Sequence, residues 1–100
     1  MESKTNNFYV YILINNRQNV MYVGYTEDLK KRIYFHKKKL IPGFTKKYNV
    51  DRLVYYESFS NKEQAQQRER QLKGYNRKKK NDLVAKFNSR LEDLYNQMKI

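Results

Sequence analysis

The chain contains no cysteine, no tryptophan and a single proline, and its 10 acidic residues face 22 lysines and arginines. Without cysteine there is neither a disulfide framework nor a thiolate zinc site. No apolar run approaches the roughly 18–20 residues that a membrane span requires. The start, Met1-Glu2-Ser3-Lys4, lacks an apolar signal core, so the expected location is the cytoplasm rather than an exported compartment. The shortage of acids leaves a formal charge of +12. A polyanion is therefore the expected partner, nucleic acid ahead of an acidic membrane surface. Disorder is not the reason for the high charge, because 15% of the residues are aromatic and periodic apolar segments are clear. A length of 100 residues corresponds to one domain with a core sufficient to fold alone.

What the chain does have is tyrosine, ten in all. Two short segments, Tyr9-Val10-Tyr11 and Tyr22-Val23-Gly24, lie in β-prone runs over Phe8 to Ile14 and Val20 to Tyr25. The polar link Asn15-Asn16-Arg17-Gln18-Asn19 makes a β-hairpin of them. A turn centred between Asn16 and Arg17 sets Tyr11 opposite Tyr22 on one face of the sheet, whereas a one-residue slip separates them. Thr26 reads as the N-cap of a helix from about Asp28 to Lys38, with Leu29, Ile33 and His36 along one stripe. Ile41-Pro42-Gly43 breaks this helix, and Gly43 to Asp51 reads as a basic loop. Arg52 to Glu57 is the third strand. Ser60-Asn61-Lys62-Glu63 has the form of a capping box opening a helix that ends near Gly74. Asn76 caps a further helix, in which Leu83, Phe87, Leu91, Leu94 and Met98 recur and which Asn88-Ser89 can interrupt.

The order β-β-α-β-α-α gives an α+β domain, a three-stranded antiparallel sheet flanked by helices. Residues 1–6 are expected to fray, 7–90 to form the domain, and 91–100 to be a helical extension. The late apolar residues can cover the chain's own sheet or a second copy; a monomer is the simpler expectation.

Arg32 and His36, four apart, share one face of the first helix. A guanidinium suits a phosphate and an imidazole can move protons near neutral pH, although both residue types also occur as ordinary surface or packing groups. Glu69 stands on the stripe defined by Ala65 and Leu72, which should face the sheet. An inward carboxylate costs several kcal/mol unless it is paired or binds a cation, so Glu69 either pairs with Arg32 or coordinates a divalent metal. Lys30, Lys31, Lys37, Lys38, Lys39, Lys46 and Lys47 form one basic stretch with Arg32 and Arg52. Lys73, Arg77, Lys78 and Lys79 form another with Arg68, Arg70 and Lys80. Both suit a phosphate backbone. The interleaved Tyr34, Phe44 and Tyr48 can stack on unpaired bases or pack as core.

Tyr9-Val10-Tyr11, then Tyr22-Val23-Gly24, then Arg32 and His36 on a helix and Glu69 on a later one, closely resembles the GIY-YIG nuclease superfamily, in particular its small single-domain bacterial members. The likeness runs over roughly residues 7 to 90 and rests on the order and spacing of the motifs together. It implies a metal-dependent endonuclease acting on DNA phosphodiesters; RNA is a second partner that size and charge alone suggest. It also implies a site of Tyr11, Tyr22, Arg32, His36 and Glu69, with Glu69 holding one Mg²⁺ or Mn²⁺. Gly24 would let the backbone pass beneath the site. Asn88 matches the late asparagine of the small members, while Asn81 fits the spacing of other branches. Tyr9 stands where the name-giving motif has glycine, Val10 and Val23 replace isoleucines, and Ser89 stands where small members often have proline. The alternative is a nucleic-acid-binding module of the same fold with little hydrolytic activity.

Overall fold

The computed structural model describes residues 7–98. The N-terminal hexapeptide expected to fray and the last two residues of the C-terminal extension lie outside them. In chain order the elements are β1 (Phe8–Ile14), β2 (Met21–Thr26), α1 (Leu29–Lys37), α2 (Phe44–Tyr48), β3 (Arg52–Phe59), α3 (Lys62–Lys73) and α4 (Arg77–Phe87), followed by a 3₁₀ turn at Leu94–Gln97. The strands form one antiparallel sheet in the order β2-β1-β3. The class is α+β.

β1 is the central strand, and its near-continuous apolar sequence is buried from Val10 to Ile14. Helices cover both faces, which is why the strand does not alternate apolar with polar. On one face Val10, Ile12, Ile14, Val23 and Val54 pack with Ala65 and Leu72 of α3 and Val84 of α4. On the other, Tyr11, Leu13 and Leu53 pack with Leu29 and Ile33 of α1, Val50 and Met98. A bulge in β3 opposite Ile12 and Leu13 adds Val54, so Leu53 and Tyr56 share the α1 face although they are three residues apart. Most of the late apolar series packs on this chain's own sheet, although Phe87 stays half exposed. Leu94 and Met98 join the α1 face, Leu91 packs on the α3 face, and Phe87 lies edge-on to Tyr55 and Tyr56.

The hairpin pairs one residue later than the sequence suggested. Tyr11 faces Gly24 and Leu13 faces Tyr22, which centres the turn between Arg17 and Gln18. The pairing therefore moves by two residues, so both tyrosines keep the same face as diagonal neighbours. The cause is the Asn15 side chain: its Oδ1 accepts from the backbone N–H groups of Asn19 and Val20, and Gln18 adopts φ 60°. Arg77 holds this turn from the start of α4, donating to the carbonyls of Gln18 and Asn19.

The helix starts also differ from expectation by one or two residues. Asp28, not Thr26, caps α1 by accepting from the Lys31 N–H; Thr26 Oγ1 instead accepts from the Asp28 N–H. Asn61, not Ser60, caps α3 by accepting from the Gln64 N–H. In both cases an Asx carbonyl oxygen, set one bond further from Cβ than a Ser or Thr hydroxyl, reaches an orphan donor of the first turn. The expected basic loop contains a helix, α2, entered at Gly43 (φ 113°) and left at Asn49 (φ 57°). Left-handed residues at both ends let five residues make a helical turn between two reversals of the chain. α4 stops at Asn88, and with Leu91 at φ 53° the apolar series beyond it does not continue one helix.

Candidate active site

The site is built around the Tyr11 ring. Because Tyr11 pairs with Gly24, its phenol lies across the backbone of the edge strand β2. A Cβ on Gly24 would stand 2.4 Å from the ring carbon Cζ and 2.5 Å from the hydroxyl oxygen. No side chain larger than hydrogen fits there without displacing the phenol, which is the structural meaning of the glycine in Tyr22-Val23-Gly24.

From α1, His36 reaches the same place. Its Nε2 is 3.0 Å from the Tyr11 hydroxyl, and its Nδ1 is 3.0 Å from Thr45 Oγ1 on α2. All three residues are buried. A neutral imidazole carries one proton, so this chain of three polar groups runs in either direction according to which ring nitrogen holds it. Burial and the Arg32 guanidinium push the His36 pKa down to about 4, with Asp51 opposing them. The ring is thus uncharged at neutral pH, with one nitrogen donating and the other accepting a hydrogen bond. Tyr22 closes the cluster, its ring 6.2 Å from that of Tyr11 and 5.8 Å from the imidazole.

Charge enters from two directions. Burial raises the Tyr11 pKa well above its ordinary value, and Tyr22 and the Glu69 carboxylate add to the rise while Arg32 opposes it. Arg32 on α1 and Glu69 on α3 therefore both act electrostatically on one phenol, although their helices pack on opposite faces of the sheet. The edge strand is what makes this possible, since β2 is narrow enough to be approached from both sides. Arg32 opens onto a cleft of about 520 Å³ that Tyr25, Lys31 and Asp28 also line. Glu69 pairs with Lys73 at 3.0 Å rather than forming the expected alternative pair with Arg32.

Asn88 is placed elsewhere. Its Nδ2 donates to the carbonyls of Val54 and Glu92, and its Oδ1 accepts from the Glu92 N–H. The amide is thereby committed to tying β3 to the C-terminal segment, and it is not among the partners of Tyr11, Tyr22 or His36. Asn81 accepts from Arg77 on the exposed side of α4. Among the lysines, Lys37 pairs with Asp93, Lys39 with Asp51, Lys73 with Glu69 and Lys78 with Asp82. Among the described residues, Lys30, Lys31, Lys38, Lys46, Lys47 and Lys79 have no carboxylate within salt-bridge distance. Arg77 is spent largely on the hairpin turn and Asn81.

Two residues near the site escaped the sequence reading. Thr45 was hidden in the segment taken for a loop. Tyr25 follows Gly24 and points to the α3 face, where its hydroxyl is buried without a partner among the described residues and its pKa is raised by burial, then by Glu27, Glu69 and Glu63. A third tyrosine beside the motif glycine was the available signal.

A small antiparallel sheet carries a tyrosine pair, with an arginine and a histidine from α1 and a glutamate from α3 around its edge strand. The chain belongs to the GIY-YIG family: the family model described as the GIY-YIG catalytic domain matches residues 7–82. The UPF0213 protein YazA of Bacillus subtilis is 35% identical over 92 residues, covering 92% of each chain. A UPF0213 protein of Clostridium perfringens is 38% identical over 77 residues, covering 77% of this chain and 82% of that one. The solution NMR structure of the UPF0213 protein of Bacillus halodurans superposes with a TM-score of 0.56 at 34% identity, covering 87% of this chain and 92% of that one. The family is of the nuclease type. Among the described residues no helix is long and apolar enough to cross a membrane.

Proposed function

We propose that the protein is an endonuclease that hydrolyses DNA phosphodiester bonds with the help of one Mg²⁺ or Mn²⁺, using Tyr11, Tyr22, Arg32, His36 and Glu69. The observation that carries this reading is the buried hydrogen-bonded pair of Tyr11 and a neutral His36, acted on by the opposite charges of Arg32 and Glu69 at an open strand edge.

Arg32 binds a non-bridging oxygen of the scissile phosphate, for which its planar fork is suited. Neutralising Arg32 also removes one of the two causes that lower the His36 pKa, so substrate binding itself makes the imidazole more basic. Tyr11 is too weak an acid to serve as a phenolate base. It acts instead as a relay, taking the proton of the attacking water while passing its own to His36 Nε2. Thr45 holds the opposite nitrogen. The new bond joins the water oxygen to phosphorus, and the bond to the 3′-oxygen breaks, that oxygen leaving as an alkoxide that takes a proton from solvent water while His36 returns its proton to solvent. Tyr22 packs on both rings and keeps them in register.

Among the described residues no three His, Cys, Asp or Glu side chains converge on a common point. A cation would be held by Glu69 with waters and phosphate oxygens filling the other positions, a donor set that suits Mg²⁺. The Tyr25 hydroxyl, buried without a partner among the described residues, fits the same picture, since a hydrated ion brings water to it. Such an ion would supply Lewis-acid stabilisation of the leaving oxygen.

Incubating the protein with supercoiled, branched and single-stranded DNA and with RNA, in Mg²⁺ or in EDTA, tests the reading. Strand scission of DNA that requires Mg²⁺ is expected. Binding without scission of any nucleic acid in every condition would replace the enzyme with a binding module of the same fold.

A further inference from the structure

Helix α2 has a buried side and an exposed side with different chemistry. Inward, Thr45 is fixed to His36, and Val50, just beyond the helix, is buried in the core. Outward, Phe44 and Tyr48, one helical turn apart, are 47% and 43% exposed with their ring centroids 5.0 Å apart. Phe44 also stacks on Tyr22 at 6.3 Å with an interplanar angle of 27°. An aromatic series therefore runs from the buried Tyr11, through Tyr22 and Phe44, to Tyr48 at the surface.

Its surroundings are cationic and polar. The Lys47 ammonium lies over the Tyr48 ring at 5.3 Å, and Lys46 is exposed on the same short helix. Beside Tyr48 opens a cleft of about 740 Å³ lined by Asn15, Asn19, Lys39, Lys47 and Asp51 among others. Two exposed rings in contact at 54° to one another, continued inward by the stacked Phe44–Tyr22 pair and flanked by ammonium groups and amides, match an unpaired strand. Its bases offer π-faces, its phosphates accept the cations, and its base edges reach the amides. A duplex keeps its bases stacked on each other and offers the rings nothing to cover.

We propose that Phe44 and Tyr48 form a stacking platform for unpaired nucleobases next to the phosphate bound in the site, so that the protein engages single-stranded or locally opened nucleic acid in preference to intact duplex. This rests on the nuclease reading for its placement beside a scissile phosphate, but it is measurable without cleavage.

Fluorescence anisotropy in EDTA with labelled oligothymidylate, oligouridylate and a blunt DNA duplex provides the test. The unaltered protein is expected to bind the single strands more tightly than the duplex. The variant F44L/Y48L should lose at least about tenfold of single-strand affinity with duplex affinity unchanged. Tyr48→Leu alone should lose a smaller part with the fold intact by circular dichroism. K46Q/K47Q should weaken all three ligands together, as a backbone contact does. Single-strand affinity that survives F44L/Y48L, or falls no further than duplex affinity, overturns the platform. Tighter binding of oligouridylate than oligothymidylate supports the platform and counts against DNA as the substrate. Discrimination that depends on the platform in a protein that never cleaves leaves it standing and removes the nuclease reading. Cleavage indifferent to F44L/Y48L together with unchanged binding does the reverse.

Discussion

The two faces of the sheet each bury a tyrosine in a polar cluster, and the clusters are built on opposite logic. On the α3 face, Tyr55 donates to Glu57, which Arg68 grips with Nε and a terminal nitrogen, both at 2.9 Å; Arg68 also reaches Gln71 and Tyr75. Burial and that carboxylate push the Tyr55 pKa up to about 12 against the opposing effect of Arg68. In this cluster three donors from Tyr55 and Arg68 converge on one carboxylate oxygen, so the charge of Arg68 is answered by Glu57 within the fold. On the α1 face, Tyr11 meets a neutral imidazole instead of a carboxylate, and the nearby charges of Arg32 and Glu69 are not closed on each other. A closed ion pair holds a fold together. Under the proposed function, a neutral relay beside two charges that are not paired with each other is what receives a charged substrate.

Several experiments break or sharpen that contrast. The largest effect is expected from Arg32→Ala, which should reduce metal-dependent cleavage by at least about a hundredfold in a gel assay of supercoiled plasmid, with the far-ultraviolet spectrum preserved. Next comes acid stability. The His36 pKa is displaced from 6.5 to about 4, so between those values the unfolded chain binds more protons than the folded one. Stability from this group is complete above pH 6.5 and is lost as pH falls through that window, an effect of up to about 3 kcal/mol. His36→Gln should flatten that part of the stability curve in urea titrations, and an unchanged slope would contradict a buried neutral imidazole. Gly24→Ala should cost about 1–3 kcal/mol of stability and disproportionately more cleavage, because it displaces the Tyr11 ring. The smallest effect on function belongs to the other face. Glu57→Leu, which leaves Arg68 and Tyr55 without their acceptor, should cost about 2 kcal/mol in thermal unfolding while cleavage per folded molecule stays the same.

How much of this was legible beforehand follows from the range of each interaction. The apolar run of β1, the breaker at Pro42 and Gly43, and the Asn76 cap are local signals, and the fold class follows from them. The hairpin register was misplaced by one residue at its centre because Asn15, which sets it, acts through side-chain bonds to Asn19 and Val20 that composition does not reveal. The stripe of Leu29, Ile33 and His36 placed the histidine inward. Its two partners lie 25 residues before it and nine after, in elements that only tertiary packing brings close. Thr45 was invisible for the same reason, compounded by a five-residue helix too short to show periodicity. Glu69 was readable as an inward carboxylate from Ala65 and Leu72, but its pairing with Lys73 and its reach toward both Tyr11 and Tyr25 depend on β2 being an edge strand. Asn88 matches the family spacing, but its use as a backbone tie depends on Val54, 34 residues before it, which only packing brings near.

The reading of the open edge as a nuclease centre is tested most directly by Glu69→Gln, which keeps the size of the side chain and removes its charge. Nicking of supercoiled DNA by the unaltered protein in Mg²⁺, absent in EDTA and reduced to background in Glu69→Gln at matched thermal stability, is the predicted result. Undiminished Mg²⁺-dependent nicking by that variant would contradict it.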